Sequence, residues 1–466
     1  MSDSRPGARA WPTATIVVLT HNGRAHLERC LPALRALDYP RDRYRVVVID
    51  NASDDGSAAY VSAQFPEVAL VRSPRNLGFA AGNNLGFAQA PADFYVTLND
   101  DTQVTPAWLT ELIRPALTDP RVGLCTGKLI LMQDRLRFSL DLTPALSCEE
   151  RGEDVLLPRG AAHPPLPEGE AGRSRVRGFP VAAWLDGQPV IPERLGPPSA
   201  DVLELGIPVP PGQRPTELRL DLGLAPDTMV DVSLSGGAPR SVCAGPAGLL
   251  CVRIGPDVPI WPVIQNAGTL VSRDGRGRDR GAVVGPNVHY YADDVGQFDR
   301  VEEVFAGCGA SLLIRAEMLT DIGGFDERFF MYYEDVDLSW RARLRGWQVR
   351  YAPGALVRHQ HRGSSGVWSG RFVYYTERNR LLLLIKLAPA DRVLLQLGRS
   401  FGAAVLATLA AARRLARGQD PAATGVVPRW SALASLAVAL PGLLRSRARI
   451  QAQRRVAQSE IDRWLL

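Results

Sequence analysis

The chain has 466 residues, of which 46% are hydrophobic and 22% charged, with a formal net charge of +5. That length exceeds one ordinary core and that composition is globular, which excludes a disordered chain and makes several domains the expectation. The small net charge excludes nothing locally, but it gives no reason to expect a nucleic-acid partner.

The charge is unevenly placed. From Arg371 to the end, sixteen Arg and Lys stand against five Asp and Glu, so the remainder is net acidic. Lys128 and Lys386 are the only lysines, a bias that reads as codon usage. The six cysteines (Cys30, Cys125, Cys148, Cys243, Cys251 and Cys308) show no CxxC pair and no disulfide spacing. A reducing, cytoplasmic setting with small buried thiols is therefore expected. Residues 1–12 read as a disordered tail without the apolar core of a signal peptide. No run reaches about 18 uninterrupted apolar residues, the length expected of a membrane-spanning helix.

Ala14 to Thr20 (ATIVVLT) is a β-branched apolar run and predicts a buried strand. A helix follows from Arg24 to Leu37, with Leu27, Leu31, Leu34 and Leu37 on one face and Pro32 inside it. Tyr44 to Asp50 (YRVVVID) predicts a second strand, ending in the turn-forming NASDDG. Another helix and a short strand, Val68 to Arg72, precede the glycine-punctuated stretch RNLGFAAGNNLG. Phe94 to Leu98 predicts a strand ending at Asn99-Asp100-Asp101. Strand–helix alternation of this kind implies a parallel sheet wound with helices, with ligands at the carboxyl ends of the strands.

Composition changes after Arg137. Between Ser139 and Pro262 lie 20 of the 36 prolines. Glu149 to Arg177 reads as a flexible loop. The short alternating runs VAAWLDG, ADVLELGI, TELRLDLGL, MVDVSLSGG and LLCVRIG then predict a small antiparallel sandwich, inserted over residues 138–263. Trp184 is a candidate sugar-stacking platform there, beside a plainly structural role for the insert. The first pattern resumes over 264–370, with a helix from Leu338, a short strand at Gln348 to Tyr351 and a loop from His359 to Ser365. Residues 371–466 read as basic helices. Their apolar runs, Phe401 to Ala412 and Trp430 to Leu444, are too short to span but bordered by arginines. They suit helices lying on an anionic membrane surface, or a helical cap on the core.

Three groups of residues can carry chemistry. Asn99-Asp100-Asp101 ends a buried strand, where oxygen ligands suit Mg2+ or Mn2+ held by one or two carboxylates plus substrate phosphates. The same residues would also serve to start a helix near Pro106. Glu334-Asp335 lies among Tyr332, Tyr333 and Trp340, surroundings that raise a carboxyl group toward the range of a working base. A merely acidic helix start would look the same. His359 and His361 follow a strand, and either can complete a metal site or sit on the surface.

In combination and in order, the segments IVVLTHN, VVVIDNASDDGS, RNLGFAAGNNLGF, LNDDT, GGFDERFFMYYEDVDLSWRARLRGW and the RHQHRGSS loop are specific. They resemble the family 2 glycosyltransferases, in particular the bacterial rhamnosyltransferase-like members, over Ala14 to Lys128 and Ile264 to Leu387. The resemblance implies an α/β fold of the GT-A type, with a Rossmann-like, mostly parallel sheet, the inserted β domain and a C-terminal helical segment. Residues 13–137 would form the nucleotide-sugar half and 264–370 the acceptor half. It further implies that Thr20, Asn22 and Asp50 hold the nucleoside, with Arg75, Asn76, Gly78 and Asn84 bordering the donor pocket. Asn99 and Asp100 would face the nucleotide sugar, Asp101 would be the main metal ligand and His359 a further one. Asp335 matches the catalytic base, with Glu334 beside it.

The activity so implied is metal-dependent, inverting transfer from a dTDP- or UDP-sugar, rhamnose among the candidates. The acceptor would be a hydroxyl of a cell-surface glycan or polyprenyl-linked saccharide, at the inner face of the plasma membrane. Three alternatives carry their own signatures. A sugar nucleotidyltransferase would place a glycine-rich, lysine-bearing loop where this chain has Thr20-His21-Asn22-Gly23-Arg24. A two-carboxylate hydrolase would need no nucleotide pocket. A degenerate transferase would act as a glycan-binding scaffold through the β insert.

Overall fold

The computed structural model describes residues 11–141, 173–176, 179–195, 202–222, 224, 227–245, 248–285, 288–360 and 370–466. The chain divides into two compact units. The first comprises Met1–Ile130, Asn266–Arg280 and Phe298–Leu466.

In this unit β1 (Ala14–Thr20), β2 (Tyr44–Asp50), β3 (Ala69–Arg72) and β4 (Phe94–Asn99) are parallel and ordered β3-β2-β1-β4. They are joined by α1 (Arg24–Arg35), α2 (Ser57–Gln64) and α3 (Gly78–Phe87). β1 and β2 are buried almost throughout, so they read as unbroken Val/Ile runs instead of alternating. The glycine-punctuated stretch is helix α3, lying directly on β1. A β-carbon on Gly82 would strike Leu19, and one on Gly86 would strike Val17. The glycines therefore permit close approach, at some expense in intrinsic helix propensity.

β5 (Thr102–Val104), α4 (Trp108–Thr118) and β6 (Val122–Leu131) follow. The sheet is completed by β7 (Glu302–Glu303), β8 (Ser311–Arg315) and β9 (Gln348–His359), in the order β7-β9-β6-β8-β4-β1-β2-β3. β8 runs antiparallel to β4, with Ser311 opposite Leu98, so the chain enters β8 where β4 ends. α5 (Ala316–Ile322) and α6 (Glu334–Leu344) lie between β8 and β9 in the chain.

Three helices end the unit: α7 (Gly370–Leu387), α8 (Ala390–Leu415) and α9 (Val426–Ala452). Leu381 to Ile385 of α7 share a core with Phe329, Trp340 and Leu436. α8 and α9 correct the expectation of runs too short to span. At 26 and 27 residues, with 18-residue windows of mean hydropathy 1.5 and 1.4, they are long and apolar enough to cross a membrane. Arg399, Ser400, Ser431 and Ser435 interrupt the apolar strings without interrupting the helices.

The only two lysines are both buried beside carboxylates. Lys128 pairs with Asp299, and Lys386 lies 2.5 Å from both Asp326 and Asp337. The Lys386 ammonium has three rotatable donors, which lets it reach carboxylates on two separate segments, Asp326 and Asp337. Asp337 is fully buried and also meets Arg341 at 2.8 Å. Breaking a buried pair from one side costs about 3–5 kcal/mol. Lys386→Met should lose stability on that order in urea unfolding, and a wild-type midpoint would contradict the assignment.

The second unit comprises Leu131–Gln265 and Gly281–Gln297, wider than the 138–263 read from composition. It holds two five-stranded sheets. One contains Phe179–Leu185, Gln188–Val190, Glu217–Asp221 and Leu249–Arg253, the other Asp134–Asp141, Val202–Val209 and Met229–Leu234. Neighbouring strands are antiparallel, and one core of Leu136, Phe138, Leu205, Leu218, Leu220 and Val252 lies between the sheets. Buried Arg135 donates to Glu193 and, at 2.9 Å, to Asp293, which ties residues 281–297 into the unit.

The structure decides between the two readings of Trp184 in favour of the structural one, and it overturns the reading of Cys243. Trp184 is only 7% exposed, flanked by neighbouring strands, so its ring has no open face for a sugar. Cys243 is disulfide-bonded, where an unlinked buried thiol was expected.

Candidate active site

The parallel strand order reverses direction between β1 and β4, which is where open α/β sheets place a ligand crevice. Leu19 and Asn99 are register partners, so the residues after them meet. Thr20 Oγ1 donates to Asp100 Oδ2 at 2.6 Å. A β-carbon on Gly23 would run into that carboxylate. Asp50, at the buried end of β2, accepts from the Ser53 N–H at 2.9 Å and lies 3.5 Å from Arg72. Asn22, in the left-handed region, accepts from the Asp54 N–H at 2.8 Å, joining the loops after β1 and β2.

Asn51 is the hub that sequence reasoning missed. Its Oδ1 accepts from the Leu77 N–H at 2.7 Å, and its Nδ2 donates to Asn76 Oδ1 at 3.0 Å. Asn76 Oδ1 in turn accepts from the Gly78 N–H at 2.9 Å. Arg75 is exposed beside them. Asn84 is occupied differently. Its side chain clamps the backbone of Phe325 by two hydrogen bonds, of 2.9 and 3.0 Å, and braces the segment leading to α6.

His359 reaches this edge because β9 runs on through Pro353 and Gly354, well past the strand end expected near Tyr351. It pairs antiparallel with β5, setting His359 opposite Thr102, next to Asp101. His359 Nε2 lies 3.1 Å from Asp101 Oδ1 and 3.4 Å from Asn99 Nδ2. Both Asp101 and His359 are buried. Whether the 3.1 Å contact is a hydrogen bond depends on the ring tautomer. With the proton on Nδ1, Asp101 Oδ1 is a buried oxygen with no donor, facing a second lone pair.

That arrangement fits a cation. Two ligands of one six-coordinate Mg2+, with bonds of about 2.0–2.1 Å, stand about 3 Å apart. Burial pushes Asp101 up, but His359, His26 and a backbone hydrogen bond together hold it below the usual carboxylate value. Burial, reinforced by the Asp101 charge and opposed by the Thr20 hydroxyl, pushes Asp100 up to about 7. A neighbouring cation would relieve that penalty. Among the described residues no three His, Cys, Asp or Glu side chains converge as a metal site, so further ligands would come from phosphates and water. His361, the competing histidine, lies outside the described residues.

The acid pair is set up by unusual backbone. Phe330, Tyr332 and Tyr333 have φ of 63°, 68° and 73°. Non-glycine residues in sparsely populated conformations cost about 1–3 kcal/mol each and need support. The support is Asn379 on α7, fully buried, whose Nδ2 lies 2.8, 2.8 and 2.9 Å from the carbonyls of Phe329, Met331 and Tyr332. Arg378 Nη1 donates to Asn379 Oδ1 and to the Arg328 carbonyl, both at 2.7 Å. From the other side the Phe79 N–H donates to the Phe330 carbonyl at 2.5 Å. Gly78, with φ of +76°, has no room for a β-carbon against Phe330.

This loop delivers Glu334 and Asp335 into the first turn of α6. Asp335 Oδ2 accepts from the Gly309 N–H at 2.9 Å, and Oδ1 from the Val336 N–H at 2.7 Å. Gly309 and Ala310 are themselves held to β4 by Thr97 and by the Asn99 N–H. Asp335 therefore stands at the carboxyl edge of β4, beside the Asn99-Asp100-Asp101 corner. Burial pushes both carboxyl groups up, and for Glu334 the Asp335 charge adds to it. Two N–H donors favour the charged form of Asp335, whereas Glu334 Oε2 is buried without a partner. Of the two, Asp335 is the member whose charged form the backbone favours.

Asp279, also missed from sequence, is a like charge that pushes Asp335 up further, and it is oriented by Asn266 Nδ2 at 2.7 Å. A base works only when ionised, so activity should fall as pH drops through its pKa. Asp279→Asn removes the like charge and should move the acid limb of the pH–rate profile to lower pH. An unmoved or raised limb would contradict this placement.

Residues 15–145 match the family model described as Glycosyl transferase family 2, and residues 291–380 match Glycosyltransferase like family 2. Over 58 residues the chain is 48% identical to N-acetylglucosaminyl-diphospho-decaprenol L-rhamnosyltransferase of Mycobacterium tuberculosis, covering 12% of this chain and 19% of that protein. Over 147 residues it is 33% identical to the pre-mycofactocin glycosyltransferase of the same organism, covering 29% and 30%. The chain thus spans less than a third of the length of either relative. A solved structure of GalNAc-T7 with UDP, GalNAc and Mn2+ aligns over 81% of this chain and 48% of that one. Its identity is 13% and its TM-score 0.43, values at which no ligand or residue role carries over.

Proposed function

The chain belongs to the family 2 glycosyltransferases, rhamnosyltransferase-like in its relatives, and from that premise we propose a metal-dependent, inverting transfer of a sugar to an acceptor hydroxyl. The donor is a dTDP- or UDP-sugar, rhamnose foremost, in keeping with the name of the rhamnosyltransferase relative. The acceptor is a cell-surface glycan or polyprenyl-linked saccharide, which that relative's decaprenol substrate name supports, at the cytoplasmic face of the membrane.

One observation carries this reading. At one edge of the sheet stand a buried carboxylate–imidazole pair, Asp101 and His359, and a separate carboxylate, Asp335, held by two backbone N–H groups. The first suits a diphosphate with its cation, the second a proton acceptor. Thr20, Asn22 and Asp50 hold the nucleoside at the ends of β1 and β2, bordered by Arg75, Asn76 and Gly78. Asp101 and His359 would hold Mg2+ or Mn2+, which would supply positive charge to the diphosphate leaving group.

Asp335 takes the proton of the acceptor hydroxyl as its oxygen bonds to the anomeric carbon. The bond from that carbon to the diphosphate oxygen breaks, and its electron pair leaves on the diphosphate. Burial and the Asp335 charge push the Glu334 carboxyl up, which leaves Asp335 as the member that acts as the base. One displacement inverts the anomeric centre. NMR of the product formed from dTDP-rhamnose or a UDP-sugar should show the inverted linkage. Retained configuration, or hydrolysis without transfer, would contradict the mechanism.

A further inference from the structure

α8 and α9 form a hairpin whose outward side is apolar. On α8, Leu394, Phe401, Val405 and Leu409 recur at helical spacing and are all exposed. On α9, Val427 and Val438 are 70% and 85% exposed, with Trp430 between them. The helices are nonetheless packed. Ala404, Ala407, Ala432 and Leu436 are buried on the inner side. Trp430 Nε1 donates to Thr408 Oγ1 at 2.9 Å and meets the ring of Phe401 edge-on at 5.5 Å, which joins the two apolar stripes. A helix ending its contacts at solvent carries a polar outer face. This pair carries the reverse, and an exposed apolar patch rimmed by charge marks an interaction surface.

We infer that this outer face seats the protein in the interface of an anionic lipid bilayer. Charge selects the occupant. Between residues 390 and 452 nine arginines stand against two acidic residues, Asp391 and Asp420. Among the described residues no carboxylate pairs with Arg399, Arg413, Arg417 or Arg445, which flank the apolar stripes. Such cations find partners in anionic head groups. A two-fold contact with a second copy would instead set one arginine rim against the other. Crossing the bilayer would carry Arg413, Arg414 and Arg417 at the hairpin tip to the far side, so the pair lies in the interface.

The seat is joined to the active site by side chains, Arg378 foremost. Arg378 Nε donates to Ser435 Oγ on α9 at 2.9 Å, and the same guanidinium holds Asn379 and the Arg328 carbonyl, which frame the loop before Asp335. The base is thereby anchored to the helix that meets the surface from which a lipid-linked hydroxyl would arrive. That consequence rests on the transfer reading, whereas the docking does not.

The test is flotation of the full chain with phosphatidylcholine vesicles, with and without phosphatidylglycerol, beside Leu409→Glu/Val438→Glu, two exposed positions outside the catalytic machinery. Anionic vesicles should carry about tenfold more protein than neutral ones, high salt should release part of it, and the double variant should stay behind with its nucleotide affinity intact. Absence of flotation on either vesicle overturns the inference. So does a lipid-free dimer that the double variant splits, since a second copy then covers the face. Resistance to alkaline carbonate extraction overturns the interfacial placement in favour of spanning. Flotation without nucleotide binding would sink the transfer reading and leave the docking standing.

Discussion

Asp335→Asn should lower kcat by about 10²–10⁴-fold, the usual contribution of a positioned general base, with nucleotide affinity unchanged. Asn keeps the shape of the side chain and one oxygen for the Gly309 N–H, so the loop before α6 should hold. What it loses is the ability to take a proton. The matching change at Glu334, to Gln, should be far milder, because burial and the Asp335 charge push the Glu334 carboxyl up, toward the neutral form that Gln mimics. Single-turnover transfer measured for both variants decides between them. If Glu334→Gln collapses and Asp335→Asn does not, the roles within the pair are reversed.

Asn379→Ala should be the most damaging change away from the reacting atoms. The three left-handed residues of the Phe330–Tyr333 loop are strained, at about 1–3 kcal/mol each. The hydrogen bonds that Asn379 makes are worth about 0.5–1.5 kcal/mol apiece. Strain and support are of similar size, so removing the support should let the loop relax and carry Asp335 off the Gly309 N–H. A fall in kcat of about a hundredfold is expected, comparable to misplacing a catalytic group by about 1 Å, with donor KM little changed. Faster amide exchange confined to residues 329–335 would accompany it. Asn379→Asp should fail similarly, because it keeps the shape but has no N–H to give. Wild-type kcat in Asn379→Ala would show that the loop holds itself.

The parts of this protein legible in the sequence are those where one physical demand dominates. β1 and β2 are buried on both faces, so their Val/Ile runs read as strands of a parallel sheet. The alternation of Val202–Val209 and Met229–Leu234 likewise fits only a half-buried strand. Long-range register was not legible. Nothing in Pro353-Gly354 says that a strand continues through them to His359, and only pairing with β5 shows why that histidine faces Asp101. Asp279 belongs to a short segment without a motif, yet the fold sets it against Asp335. Asn51 and Asn379 act through backbone carbonyls and amides, which carry no sequence signature. Trp184 kept two readings because an aromatic on a strand reads alike whether it faces a sugar or a core, and its burial selects the core. α8 and α9 misled, since polar residues broke their apolar strings on paper and left the helices whole.

The central claim is that the crevice between β1 and β4 is a nucleotide-diphosphate site completed by a cation on Asp101 and His359. Calorimetric binding of UDP and dTDP, each with and without Mn2+, to the wild type and to Asp101→Ala tests it most directly. Binding that requires Mn2+ in the wild type and disappears in the variant is the predicted result, and the preferred base identifies the donor class. Binding that ignores both the metal and the substitution, or no binding in any combination, would contradict it.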